Sequence, residues 1–174
     1  MFINQQVDSE TLPRAESIRM QAMAPPYVRE VMTQWALFAV PLLVAGVIIW
    51  LLPFSPFPLK LALRIGASVI GLFMIGLGFL LYHQAKARGW ALREHDVAYR
   101  TGLIWRKTII LPFTRVQHAE VTSGPLQRRF GLATLKFYTA GGSSVDLKIS
   151  GLEAQQASAL RDHILKNSDR FGSE

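Results

Sequence analysis

The chain has 174 residues, half of them hydrophobic, with a formal charge of +7 and a mean hydropathy of +0.23. It contains no cysteine, which excludes thiol catalysis, disulfides and cysteine-ligated zinc. Its length leaves room for one soluble domain beside a membrane-spanning part.

Residues 1–29 are polar and carry Pro13 and the pair Pro25-Pro26, which interrupt any helix, so they read as a flexible tail. The tail is not a signal peptide, because the apolar run starts too late and no small-residue cleavage site follows it.

Two apolar runs follow. Trp35–Leu52 and Ile65–Tyr82 are both free of charged residues. A bilayer core takes roughly 20 apolar residues of helix, and large aliphatic side chains favour insertion by roughly 0.3–0.6 kcal/mol each. The pattern predicts a transmembrane hairpin over 30–89, with helices at about 34–52 and 61–82 and a short link, Pro53–Lys60. A soluble hairpin of this length would need a larger core than the chain can supply.

Trp35, Trp50 and Tyr82 stand near helix ends, where interfacial aromatic residues belong. Pro41 is tolerated inside a membrane helix with a kink. Arg64 sits about one turn from the link and can snorkel to the headgroups. Ala67, Gly71 and Gly78 share one face of the second helix and allow close backbone approach, either to the first helix or to another chain. From Lys86 onward there are fourteen Lys/Arg against eight Asp/Glu. The cluster Lys86, Arg88, Arg93 and Arg100 just after the second helix places both termini in the cytoplasm, in the inner membrane.

Beyond Trp90 the apolar period changes from 3.6 to 2. Val97, Tyr99 and Thr101 alternate with polar neighbours. Gly102 marks a turn, Ile104–Leu111 reads as a strand stopped by Pro112, and Arg115–Val121 as another. Ser123-Gly124-Pro125 breaks the pattern, and Leu126–Phe130 forms a single helical turn ended by Gly131. Ala133–Thr139 and Val145–Ile149 read as a hairpin about Ala140–Ser143. Ser150-Gly151-Leu152-Glu153 has the capping-box pattern, opening a helix with Ala157, Leu160 and Ile164 on one face. The last residues, 169–174 with some fraying from Asn167, read as a tail. The fold class is therefore α+β: a membrane hairpin, then an antiparallel β-barrel or sandwich over 90–168 capped by a C-terminal helix.

The stretches YRTGLIW (99–105), LPFTRVQ (111–117), GPLQRRFGLA (124–133) and TAGG (139–142), preceded by paired apolar helices, resemble the bacterial pleckstrin-homology-like domain of the YdbS-like membrane proteins. The resemblance covers roughly Tyr27–Lys166. It implies a pleckstrin-homology-like fold on the cytoplasmic face, and it carries over no catalytic residue. It also implies seven strands, where the residues indicate six.

His83, His95, His118 and His163 have no metal-ligand spacing. There is no phosphate-binding glycine loop, no nucleophile elbow and no ionisable residue deep in the membrane that an intramembrane catalyst would need. No enzyme activity, cofactor or metal is expected. The adjacent Arg128 and Arg129, with Gln127 and Arg115, are candidates to contact an acidic partner or anionic lipid. The partners expected are the bilayer and a membrane protein or a second copy. Nucleic acid is not expected, because no aromatic platform accompanies the charges.

Overall fold

The computed structural model describes residues 18–51, 57–139 and 145–171. The link between the membrane helices and the Ala140–Ser143 turn lie outside those residues, apart from the part of the link that proves helical.

Two long helices, α1 (Pro26–Leu51) and α2 (Phe57–Lys86), form the hairpin. Both extend beyond the apolar runs that announce them. Pro26 opens α1 and Pro58 lies in the first turn of α2, positions where a missing N–H costs nothing. The second helix therefore starts before Lys60 and takes up the last residues of the expected link. The helices are antiparallel and in close contact: a Cβ on Gly46 would lie 3.8 Å from Ala67, one on Gly71 3.8 Å from Leu43, and one on Gly78 2.8 Å from the Trp35 indole. At the far end of the hairpin Arg64 donates from Nε to the Trp50 carbonyl at 3.3 Å and stacks on its indole at 4.8 Å. The guanidinium is thus satisfied where the helices meet the interface.

Seven strands are present among the described residues: β1 (Gln21–Ala22), β2 (Gly89–Leu92), β3 (Asp96–Thr101), β4 (Lys107–Pro112), β5 (Val116–Thr122), β6 (Leu132–Thr139) and β7 (Leu147–Glu153). They make two open antiparallel sheets, β1-β2-β3-β4 and β5-β6-β7, so the fold is a sandwich rather than a closed barrel. The alternation delimits neither β2, which opens the domain after the second helix, nor β1, which precedes the membrane hairpin. Strand β1 pairs with β2 through Gln21↔Trp90 and Ala22↔Gly89. Two residues later the Ala24 N–H bonds to the Gly151 carbonyl of β7 at 3.0 Å, so this segment touches both sheets. Met23, Ala24 and Tyr27 are buried. The residues from Gln21 on thus belong to the folded domain and not to a tail that reaches Arg29.

Helix α4 (Ala154–Phe171) lies across β5 and the 3-10 turn Phe113–Arg115, burying Ala157, Leu160 and Ile164 as their spacing predicts. It continues past Asn167, whose side chain bonds to the His163 carbonyl at 3.0 Å. The core between sheets and helix contains fully buried Val97, Phe113, Leu132, Leu135, Phe137, Leu147, Ile149, Leu152 and Ile164. Each contributes roughly 1.5–3 kcal/mol relative to exposure.

Two expectations fail locally. Ser150–Glu153 is not a capping box: Ser150 pairs with Thr134 and Glu153 with Leu132 as the end of β7. The ladder carries a bulge at Ala133/Thr134, and Gly151 adopts φ +88°, so a strand turns where the residue pattern predicts a helix start. Nor does β4 begin at Ile104. Gly102, at φ +93°, folds back so tightly that a Cβ there would collide with the Trp105 carbonyl, and the turn uses up Leu103–Arg106.

Candidate functional site

The Gly-Pro-Leu-Gln-Arg-Arg stretch forms α3 (Pro125–Arg129), as its proline at the first position allows. The loop around it is tied at three points. Ser123 Oγ donates to the Leu132 carbonyl at 2.7 Å, Gln127 Nε2 donates to Thr134 Oγ1 at 3.1 Å, and the Ala154 N–H bonds the Gly131 carbonyl at 3.0 Å. Gln127 Oε1 also accepts from the Gly124 N–H at 3.2 Å. Gln127 is therefore half-buried and committed to holding the turn, whereas the sequence placed it outward. Its amide satisfies one of the orphan N–H groups at the helix start.

Arg128 and Arg129 remain exposed, and among the described residues neither has an ion pair. Phe130 packs on the core, while Leu126 turns instead toward the membrane hairpin. Arg115 is exposed too, but it precedes β5 at Val116 and α3 follows β5 at Thr122. Seven strand residues at about 3.3 Å each put Arg115 roughly 20 Å away. The structure does not bring it beside the other two.

Between α3 and the end of the hairpin lies a polar cleft of about 620 Å³. Glu30, Gln34, Gln84 and Arg88 line it from the hairpin, and Gln127, Thr134, Lys136, Lys148 and Ser150 from the domain. Glu30 is only 6% exposed, and the Arg88 Nε is buried without a hydrogen-bond partner. Arg88 donates from its terminal nitrogen to the Tyr27 hydroxyl. Lys136 reaches Glu120 at 3.4 Å, and Tyr138 donates its hydroxyl to the same carboxylate at 2.9 Å. The Tyr138 hydrogen bond, with help from Lys136, holds the Glu120 carboxyl below its usual range, and the Tyr138 hydroxyl is raised in return. Lys148, by contrast, has no ion pair among the described residues.

The sequence marks neither Tyr27 nor Glu30 as a site residue, and it marks Arg88 only as one of the charges that orient the hairpin. One signal was available: an acid at the start of the first membrane helix and a base just past the end of the second stand level in an antiparallel hairpin. A second cavity, of about 410 Å³, sits between α1 and α2 at membrane depth and is lined by apolar side chains and Ser68. No group of three or more potential metal-binding side chains occurs among the described residues.

A family model described as the bacterial PH domain matches residues 31–168, which takes in the hairpin, both sheets from β2 onward and most of α4. The chain belongs to the bacterial PH domain family. The transmembrane protein YdbS of Bacillus subtilis (strain 168) is 34% identical over 79 residues. That alignment covers 45% of this chain and 48% of YdbS, so the chain matches about half the length of this relative. No solved structure matches. With two helices long and apolar enough to cross a bilayer, this bacterial PH domain protein is a YdbS-like membrane protein.

Proposed function

We propose that this protein is a non-catalytic interaction module of the inner membrane, with both termini in the cytoplasm. The hairpin holds the PH-like domain at the bilayer, and the domain presents Arg128 and Arg129 to an acidic surface on another membrane protein or on a second copy of the chain. The observation that carries this reading is the pair itself: exposed, unpaired among the described residues, and held on a turn tied at three points. Core packing accounts for Phe130, and loop closure for Gln127; neither accounts for two adjacent arginines.

In the full chain, Arg128→Ala/Arg129→Ala should leave the melting temperature almost unchanged, since exposed charges contribute little to stability. Recovery of cross-linked partner from native membranes should fall several-fold, mimicking raised salt on the unaltered protein. Arg115→Ala, at the far end of β5, is the matched control and should leave recovery unchanged. A double variant that melts several degrees lower would make the arginines structural and defeat the reading.

A reporter active only outside the cytoplasm should light up in the 52–56 link and stay dark at both termini. The excess of Lys/Arg after α2 supports that orientation.

The cleft favours a second reading, in which the module responds to anionic lipid. Arg88, Lys136 and Lys148 line it where the hairpin meets the domain, and a cation near an anionic surface contributes about 1 kcal/mol. Native mass measurement of the purified full chain separates the two: a retained acidic phospholipid favours the second reading, an added protein chain the first.

A further inference from the structure

Outside the membrane helices, the large apolar side chains of the described residues are buried or only partly open to solvent, with Leu92 at 38%, Val145 at 38% and Ile110 at 41%. Ile104 and Trp105 break this rule at 69% and 86%. They are adjacent, at the tip of the β3–β4 hairpin. The tip is not slack, because the strands on either side pair through Thr101↔Lys107 and the tight turn at Gly102 closes it. The fold holds these two side chains outward.

The register says which way the tip points. Gly89, three residues after the end of α2, pairs with Arg100 on one side and with Ala22 on the other, and Ala22 leads within four residues into α1. Both membrane helices therefore join the sheet at one end, and β3 runs toward that end before it turns. Strand geometry puts Trp105 within roughly 15 Å of Gly89. The opposite end carries the Arg93–His95 turn. Charge agrees with position: Arg100, Arg106 and Lys107 flank the tip without an ion pair among the described residues, and the sequence has no acid from Val97 to Ala119.

We propose that the β3–β4 tip is a third membrane attachment. Ile104 and Trp105 enter the boundary between headgroups and acyl chains in the leaflet from which the hairpin emerges, and Arg100, Arg106 and Lys107 meet its phosphates. Tryptophan favours that boundary, and neighbouring cations are drawn to anionic lipid there. Two helices tether the domain but leave it free to tilt, and a third contact fixes its orientation. This goes beyond the function proposed above, which would survive its failure.

The test uses the absence of cysteine. Leu103→Cys, beside the tip, and Glu94→Cys, in the turn at the opposite end, are each labelled with an environment-sensitive fluorophore. The full-length proteins are reconstituted in phosphatidylglycerol-containing vesicles with a shallow nitroxide lipid. The position-103 label should be quenched at least threefold more than the position-94 label. Adding Ile104→Ser/Trp105→Ser should bring it down to the position-94 level. Equal quenching at both sites, quenching that survives the serine pair, or shielding at position 103 without quenching by lipid would each overturn the proposal; the last would mean that a protein covers the tip.

Discussion

Gly151→Ala should destabilise the full chain well beyond Gly131→Ala, although both glycines have positive φ, +88° and +67°. An L-residue in the left-handed region costs roughly 1–2 kcal/mol, and both substitutions incur that cost. They differ in what the new methyl group meets. At Gly131 nothing lies within 4 Å, whereas at Gly151 a Cβ overlaps the Tyr27 ring. Tyr27 cannot move aside freely, because it is buried and its hydroxyl accepts from Arg88. Overpacking of this kind adds about 1–3 kcal/mol. The difference between the two variants isolates the packing of α1 onto β7, where the membrane hairpin is joined to the soluble domain. Combined with Tyr27→Ala, Gly151→Ala should lose most of that excess, a coupling of about 0.5–3 kcal/mol. Thermal unfolding in detergent measures it, and equal losses at the two glycines would mean that Tyr27 does not press on β7.

The second large effect lies inside the membrane. Gly78→Leu should be the most disruptive glycine change in α2, Gly71→Leu intermediate and Gly76→Leu mild. A Cβ at Gly78 falls 2.8–3.2 Å from three atoms of the Trp35 indole, so the ring must shift even for alanine. At Gly71 the Cβ itself fits, 3.8 Å from Leu43, and only the outer atoms of leucine crowd. At Gly76 nothing lies within 4 Å. Overpacking predicts a loss of about 1–3 kcal/mol at Gly78, against about 0.5 kcal/mol or less at an open site. Comparable melting temperatures for the Gly78 and Gly76 variants would show that the hairpin does not close on this face.

Much of this fold can be read from the sequence because two of its signals are strong. Long uncharged runs announce membrane helices whatever follows them, and period-two alternation announces most of the strands. The parts that escaped have identifiable reasons. Strand β1 is two residues long, too short to carry a period, and it pairs with residues on the far side of the hairpin. Ser150–Glu153 has the right letters for a capping box, but the pattern does not say whether its backbone is already claimed by a neighbouring strand. Ile104-Trp105 looks like strand interior until the tight turn at Gly102 removes it from the ladder. Around α3, the exposure of Arg128 and Arg129 was legible because no core contact or local bond claims them. Gln127 was misplaced because an amide can serve its own backbone as readily as a partner. The Tyr27–Arg88 contact joins residues 61 positions apart, beyond the reach of any local pattern.

The position of β1 ahead of the hairpin bears on how the protein is made. As the chain leaves the ribosome, Gln21 and Ala22 appear before either apolar helix, yet their partners Trp90 and Gly89 appear only after both helices have passed. The first sheet thus cannot be completed until the hairpin has inserted and returned. Membrane integration becomes a step on the folding pathway of the water-soluble part. A fragment cut at Gly89 to obtain a convenient soluble domain would lack β1, Ala24 and Tyr27, and would leave Trp90 and the Gly151 carbonyl without their partners. Expression trials on this protein should therefore keep the hairpin in place.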